Sequence, residues 1–459
     1  MSNCFAVALA VVLPLAALPP APGGAPDAFP GAEGFGAASR GGRGGAVVKV
    51  TNLNVSGPGS LQAACDTPGP RIVVFDVSGV IRGDVILRHG EITIAGQTAP
   101  GAGITIEGQL QNPYRIKPNL HDVTIRHIRV RPRRWDKVWA GGDCIQLTYV
   151  ERLILDHVSV SWGNDENIDL CNSRDLTVQW CAIEESDTTG HEKGQHNFGL
   201  IMGYSGRDAT VHHNLFAHHL RRAPLCGLEV LDHRNNVIYN MRRGVYWHPA
   251  KMNQQRPGKG FRANVVGNYF KHGPDAPKAG RDLREAIVDA TPEEELYARG
   301  NHFTWAGAVE DLWKHPLDQG IFKAYPQRFD SPWPAPPVET HSAEEAYRLV
   351  LAMAGCLPRD TVSRRTVEEV RAGGGSWGRH DAADLMEGLE PGSAPADADG
   401  DGMPDAWERA RKLDPHDASD AARVVPAGAS PRDRHRGYTY IEYYVNDAAD
   451  RLAAAARRR

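Results

Sequence analysis

VTIRHIRV (123–130), LILDHVSV (153–160), LTVQWCAI (176–183) and ATVHHNLF (209–216) are four versions of one segment. Each is rich in β-branched and aromatic residues and alternates apolar with polar positions, the period-2 signature of a strand. Weaker copies follow at NNVIYN (235–240), ANVVGNYF (263–270) and ARGNHF (298–303). The copies return at intervals of about 20 to 35 residues, the range of solenoids, propellers and arrays. No helical pattern separates them, which argues against βαβ units and predicts an all-β chain. Asn214, Asn236, Asn268 and Asn301 each stand just ahead of an apolar or aromatic residue in their copy. Stacked at successive turns of a coil, such asparagines satisfy one another's hydrogen bonds. Unequal repeats suit a parallel β-helix, whose extra residues bulge out as loops, better than the uniform blades of a propeller.

The 459-residue chain carries 52 Lys+Arg against 56 Asp+Glu, a net charge of −4. It therefore lacks the basic footprint of a nucleic-acid binder. Its 48 Gly and 32 Pro imply many turns rather than a helical bundle. Phe5–Leu18 is apolar but too short to span a membrane, and small residues and prolines follow it to Pro26. That is the shape of a signal peptide, although no Lys or Arg precedes it. Residues 1–26 are read as a leader, with export to the medium, cell surface or periplasm. An apolar N-terminal helix of the mature protein is the alternative. No later stretch is long and apolar enough to span a membrane. A monomer with neither nucleic-acid nor membrane partners is expected. Seven cysteines occur without a CxxC pair, so there is no zinc or redox motif. The six beyond the leader are either disulfide-bonded or buried thiols.

Past residue 340 the texture changes. AEEAYRLVLAMA (343–354) has helical spacing, Thr366 to Ala372 reads as a second helical stretch, and Gly373-Gly374-Gly375 as a linker. This places a β-helix domain at 27–375 and a linker with C-terminal extension at 376–459. Within the extension, Asp397, Asp399, Asp401, Asp405 and Glu408 occupy positions 1, 3, 5, 9 and 12 of a twelve-residue loop, with Gly402 at 6. That is the oxygen-ligand pattern of an EF-hand-like calcium loop. Nothing around it resembles a catalytic base, so a structural ion is the reading, and a solvated acidic linker the alternative. The final residues read as a frayed basic helix.

A second acidic set lies among the repeats: Asp143 in GGDCIQL, and Asp165 and Asp169 in NDENID. Residues four apart on a strand share a face, and a β-helix stacks Asp143 one turn earlier. Converging there, three carboxylates make a site for a hard cation such as Ca2+. Isolated surface aspartates are the competing reading. Arg126, Arg129, Arg131, Arg133 and Arg134 crowd one strand end, and Arg221-Arg222-Ala223-Pro224 closes another. Arginine forks suit carboxylate ligands, while a solvated rim accounts for most of them equally well. GxSxG, Walker and HExxH motifs are absent.

FPGAEGFGAASRGGRGG (29–45), SLQAACDTPGPRIVVFDVSGVI (60–81), LDHVSVSWGNDENIDL (155–170) and RRAP (221–224) together resemble bacterial pectate lyases of polysaccharide lyase family 1, in the family's order. The resemblance runs from Phe29 to about Gly375, and the tail looks like the extension of secreted members. A thrombospondin type 3 loop is a second likeness of the segment 397–408. The resemblance implies a right-handed parallel β-helix that cleaves polygalacturonate, an acidic plant-type polysaccharide, by β-elimination with Ca2+. By position Asp143 matches the first calcium ligand, Asp165 and Asp169 the pair from the next turn, and Arg222 the arginine assigned the C5 proton. An arginine is effectively always protonated. Arg222 is therefore either a base of depressed pKa or a cation that stabilises the carbanion while another base acts.

The sequence also departs from the family. Leu225 and Gly227 stand where further basic residues follow the arginine, and Phe198 stands at the lysine position. Lys193 and His196 in HEKGQH are the candidates to replace that lysine, with Arg221 and Arg131 as further substrate-binding candidates. RHRGYTYIEYYV resembles a second calcium segment without its aspartates. Two rival functions remain: a β-helix glycoside hydrolase using Asp165, Glu166 and Asp169, and a non-catalytic polysaccharide-binding protein. A pectin lyase for esterified chains would leave the aspartates without a role.

Overall fold

The computed structural model describes residues 25–113, 120–132, 142–204, 206–242, 246–247, 261–276, 295–312 and 327–458. Successive turns lay short strands onto three faces, and strands pair in parallel with their counterparts one turn on, apart from the antiparallel pair Glu295–Phe303 and Gly307–Asp311 at the C-terminal end of the coil. One face runs through Arg71–Phe75, Ile92–Ala95, Leu120–Arg126, Val150–Asp156 and Arg174–Gln179. A second runs through Ile128–Val130, Ser159–Ser161, Ala182–Glu184 and Leu215–Ala217. A separate seven-stranded sheet carries Leu110–Gln111, Ile145–Gln146, Glu166–Asp169, Phe198–Met202 and Leu225–Cys226. This is the right-handed parallel β-helix that the repeats and the resemblance predict.

The alternation of the repeats becomes columns inside the coil. Ile94, Ile125, Leu155, Val178 and Val211 stack in register on the first face. Val130, Val160, Ile183, Phe216, Ile238 and Phe270 do so on the second. Leu110, Ile145, Ile168 and Leu200 form the third column. Burying each such side chain contributes about 1.5–3 kcal/mol.

Single residues turn the first face into the second. His127, His157, Trp180, His213 and Asn235 occupy these corners with φ between 52° and 54°. This is the left-handed region, least disfavoured for Asn, Asp and His. Their rings stack along the coil, with centroids 4.7 Å apart for His127–His157 and 4.3 Å for Trp180–His213. Immediately after the corners the expected asparagine ladder is present. Asn214 Nδ2 donates to Asn236 Oδ1 at 3.0 Å, Asn236 to Asn268 at 3.1 Å and Asn268 to Asn301 at 3.1 Å.

The C-terminal segments pack against the outside of the coil. Helix α1 (Ala343–Met353) and helix α2 (Thr361–Ala372), which starts earlier than the sequence pattern suggests, bury Val350, Leu351, Val367 and Val370 against Leu215, Val237 and Tyr239. Gly373–Gly375 is not a free linker: Gly373 caps α2 at φ 78°, and the Tyr239 hydroxyl donates to the Gly374 carbonyl at 2.7 Å. Helix α3 (Tyr440–Arg457) is firmly begun by a Thr439–Glu442 capping box. Its Ile441 and Val445 join Met403 and Trp407 in covering Ile72, Val74 and Ala95. The six described cysteines, Cys65, Cys144, Cys171, Cys181, Cys226 and Cys356, are buried free thiols. Residues 1–24, which hold Cys4 and most of the segment 1–26 expected to be a leader, lie outside the described residues. No helix among the described residues is long and apolar enough to cross a membrane.

Candidate active site

On the seven-stranded sheet, residues that alternate with the interior column face outward. Gln111, Gln146, Asp169, Ile201 and Leu225 form one outward column in register. Asp143 and Asp165 sit just ahead of their strands. Gln146 Nε2 joins two of the acids, donating to Asp143 Oδ2 at 3.1 Å and to Asp169 Oδ2 at 3.5 Å. The Glu166 N–H donates to Asp143 Oδ1 at 2.9 Å. Carboxylate oxygens of Asp143, Asp165 and Glu166 lie within 4.8 Å of one another.

This crowding shows in the proton affinities. Burial, then the charges of Asp169 and Asp165, push the Asp143 carboxyl well above its ordinary range, against the pull of Arg222. Burial also raises Asp169, against hydrogen bonds from Cys171. At Asp165 burial is outweighed by a hydrogen bond and charge from His196, with Arg222 and His191 adding to them, so its carboxyl is lowered. Clustered hard oxygens that repel one another are the donor chemistry of a calcium site.

Arg222 reaches this cluster from two turns on, across the Phe198 strand. Its guanidinium is ion-paired with Glu166 and lies 3.8 Å from the centroid of the Phe198 ring. Phe198 pairs with Glu166 on one side and bridges Arg221 on the other. The 221–222 segment can lie flat on this strand because residue 199 is glycine: a Cβ there would stand 2.4 Å from the Arg222 carbonyl oxygen. Arg222 itself holds φ 76°, and the Ala223–Pro224 peptide is cis. The Arg221 guanidinium lies 5.0 Å from the same ring centroid.

The 187–197 loop brings His196 Nε2 within 2.8 Å of Asp165 Oδ1, with His191 stacked on it at 4.1 Å. Lys193 is exposed on that loop. Arg131 must be corrected: it is fully buried, ion-paired with Asp360 and bonded to Ser363 at 2.9 Å, so it holds α2 and does not meet substrate. Arg126 and Arg129 are likewise buried, not a solvated rim; Arg133 and Arg134 lie outside the described residues. Sequence reasoning missed Glu166 as the partner of Arg222, although it stands in the acidic run NDENID. It missed Gln146 altogether, for which no spacing rule exists. The loop 397–408 sits on another sheet, where Asp397 pairs with Lys49 at 2.8 Å.

A three-faced coil of parallel strands with an acid–arginine cluster on one face defines the class as a parallel β-helix protein. The chain belongs to the pectate lyase family. It is 34% identical over 429 residues to a probable pectate lyase C of Aspergillus flavus, covering 91% of this chain and 93% of that protein. It is 33% identical over 437 residues to one of Emericella nidulans, covering 94% and 95%. These relatives are fungal, whereas the sequence motifs were matched to bacterial members. Among solved structures it resembles a thermostable pectate lyase (TM-score 0.52, 16% identity, 71% of this chain and 97% of that one). It also resembles a pectate lyase studied for substrate specificity and an anti β-elimination mechanism (TM-score 0.51, 13% identity, 71% and 96%). These two are likenesses of fold. No protein-family model matches the chain.

Proposed function

We propose that this chain is a secreted, monomeric, calcium-dependent pectate lyase that cleaves polygalacturonate by β-elimination into unsaturated oligogalacturonides. The observation that carries the reading is the meeting of the Asp143–Asp165–Glu166 carboxylates with the Arg222 guanidinium on one face of the coil. Asp143, Asp165 and Asp169, with Glu166 beside them, are the residues that would hold Ca2+. Bound there, the ion supplies positive charge that draws in a uronate carboxylate and makes its C5 proton more acidic.

Arg221 and Arg222 present forked donors to the acidic polymer, and His196 and the exposed Lys193 line the approach. Arg222 is the residue set to act at C5. Paired with Glu166, its guanidinium stays cationic and stabilises the charge that develops as the C5–H bond breaks. It can accept the C5 proton only as the neutral guanidine, with Glu166 drawn away and its own proton already lost to solvent at alkaline pH; otherwise a solvent hydroxide takes the C5 proton beside the cation. The electron pair left at C5 becomes the C4–C5 double bond as the C4–O4 bond breaks, and O4 of the released chain takes its proton from solvent water. Phe198 occupies the place of a family lysine without leaving a hole, because its ring supports Arg222. This favours a working enzyme over a binding protein.

The test is absorbance of the conjugated double bond during incubation with polygalacturonate at alkaline pH. A rise that requires calcium and disappears with chelator or in Arg222→Ala is expected. New reducing ends without the double bond would instead make the protein a hydrolase, and binding without either product would make it a polysaccharide-binding protein.

A further inference from the structure

A second group of carboxylates, on a different sheet from the site above, is left unexplained by the lyase reading. Oxygens of Asp401, Glu408 and Asp420 lie within 4.8 Å of one another, and so do those of Asp397, Asp399 and Asp401. Asp401 is common to both sets, so they form one cluster. Its inner members are buried: Glu408 and Asp420 are 0% exposed and Asp401 6%. Both Glu408 oxygens, Asp401 Oδ2, Asp399 Oδ2 and Asp420 Oδ1 have no hydrogen-bond partner among the described residues. A buried charge without a partner is strongly destabilising, and here several are aimed at one point. Burial and the neighbouring acids push Glu408 up to about 8 and Asp401 to about 7.

We infer that the C-terminal extension carries its own calcium centre, held by Asp401, Glu408 and Asp420 with Asp399 beside them, and that it staples the extension to the first turns of the coil. Asp397 is spent on the Gly400 and Gly402 N–H groups and on Lys49. Its ligand set departs from the spacing of the loop. Asp405, at position 9, is already engaged: its Oδ1 accepts from the Ala398 N–H at 2.8 Å and its Oδ2 from Arg409 at 3.0 Å. Asp420, twelve residues beyond the loop's end on the turn Asp420–Ala422, takes its place. The chemistry is that of a hard divalent cation, because every donor is a carboxylate oxygen.

The staple acts through what the loop touches. Gly402, at φ 93°, lies so close to the coil that a Cβ would stand 2.7 Å from Val47 and 3.2 Å from Val74. Next to it Met403 is buried with Ile72 and Val74, and Asp397 is tied to Lys49. An ion that fixes the loop therefore fixes this contact, and drawing in Asp420 closes the outer turn over it.

The experiment uses the full chain in an Asp143→Asn/Asp169→Asn background, which separates this centre from the lyase site and needs no activity. Thermal midpoints and bound calcium per chain are measured with and without calcium. The background protein is expected to bind one ion tightly and to gain in midpoint. Glu408→Gln and Asp420→Asn are expected to lose both, while their metal-free midpoints stay at or above that of the background, since each removes a repelling charge. Asp405→Asn is expected to keep the ion. Retention of the full calcium response in both Glu408→Gln and Asp420→Asn, or no ion bound by the background protein, overturns the inference.

Discussion

Phe198 shows how one residue changes a site without emptying it. Its ring lies under Arg222 and beside Arg221, and Arg222 is fixed from the other side by Glu166. A guanidinium held over an aromatic face away from water gains up to about 2 kcal/mol. Phe198→Leu is therefore expected to lower kcat on polygalacturonate about tenfold with little change in KM, and Phe198→Tyr to restore most of it. An equal loss in a simple binding assay would mean that the ring does no more than fill space. Asp122 illustrates a residue whose role is stability alone. It accepts from Arg152 Nε at 3.0 Å and from Nη2 at 2.8 Å, and it holds φ 54°, which an asparagine tolerates. Burial raises its carboxyl, but Arg152, the Arg40 N–H and His121 outweigh burial and bring it down to about 2. A carboxyl lowered by folding adds stability above its unfolded pKa, and that stability fades as pH falls toward the folded value. Asp122→Asn should cost about 2 kcal/mol at pH 7. Denaturant midpoints of the two proteins should converge between about pH 4 and pH 2.

At the level of elements, the asparagine ladder and the ring-lined corners are repeated devices, and repetition is what made them legible. One Asn in one copy says nothing, but Asn214, Asn236, Asn268 and Asn301 at matching places predict stacking, and the structure stacks them. Asn236 is a central rung. Its Oδ1 accepts from both the backbone and the side chain of Asn214, and its Nδ2 donates to Val211 O and Asn268. Asn236→Ala strands two buried donors of Asn214, each costing about 1–3 kcal/mol, so a clear fall in thermal midpoint with unchanged KM is expected. The acids of the proposed site came from one strand spacing, Asp165 and Asp169, joined to the family resemblance, and the structure gathers Asp143 and Asp165 with Glu166. What remained hidden was direction and distance. Arg126, Arg129 and Arg131 look alike on a strand end, yet burial behind α2 and α3 turns them into anchors, Arg126 reaching Asn446 at 3.0 Å and Arg131 pairing with Asp360. Asp420 has no local spacing to the loop it completes, because a chain turn brings it there.

For the whole molecule, the extension is a cover as much as an appendage. The apolar residues Ile72, Val74 and Ala95 point out of the coil, and in a solenoid standing alone they would meet water. Trp407, Tyr444 and Val445 bury them instead, and Arg43–Glu442 at 2.8 Å and Lys49–Asp397 at 2.8 Å tie the edges of the contact. Such largely buried ties set charge attraction against the cost of desolvating both partners, so the apolar contact dominates. An uncovered patch of this kind is an aggregation liability. The lyase cluster lies on the seven-stranded sheet, while the extension rests on the other face. Removing residues 393–459 should therefore separate stability from catalysis. The shortened chain is expected to show a lower thermal midpoint, to bind a hydrophobic dye and to aggregate on warming. At 25 °C, kcat and KM of the freshly purified protein should stay close to those of the full chain. A shortened chain as stable as the full one would show that the coil needs no cover. A large loss of kcat at full stability would show instead that the extension reaches the lyase site.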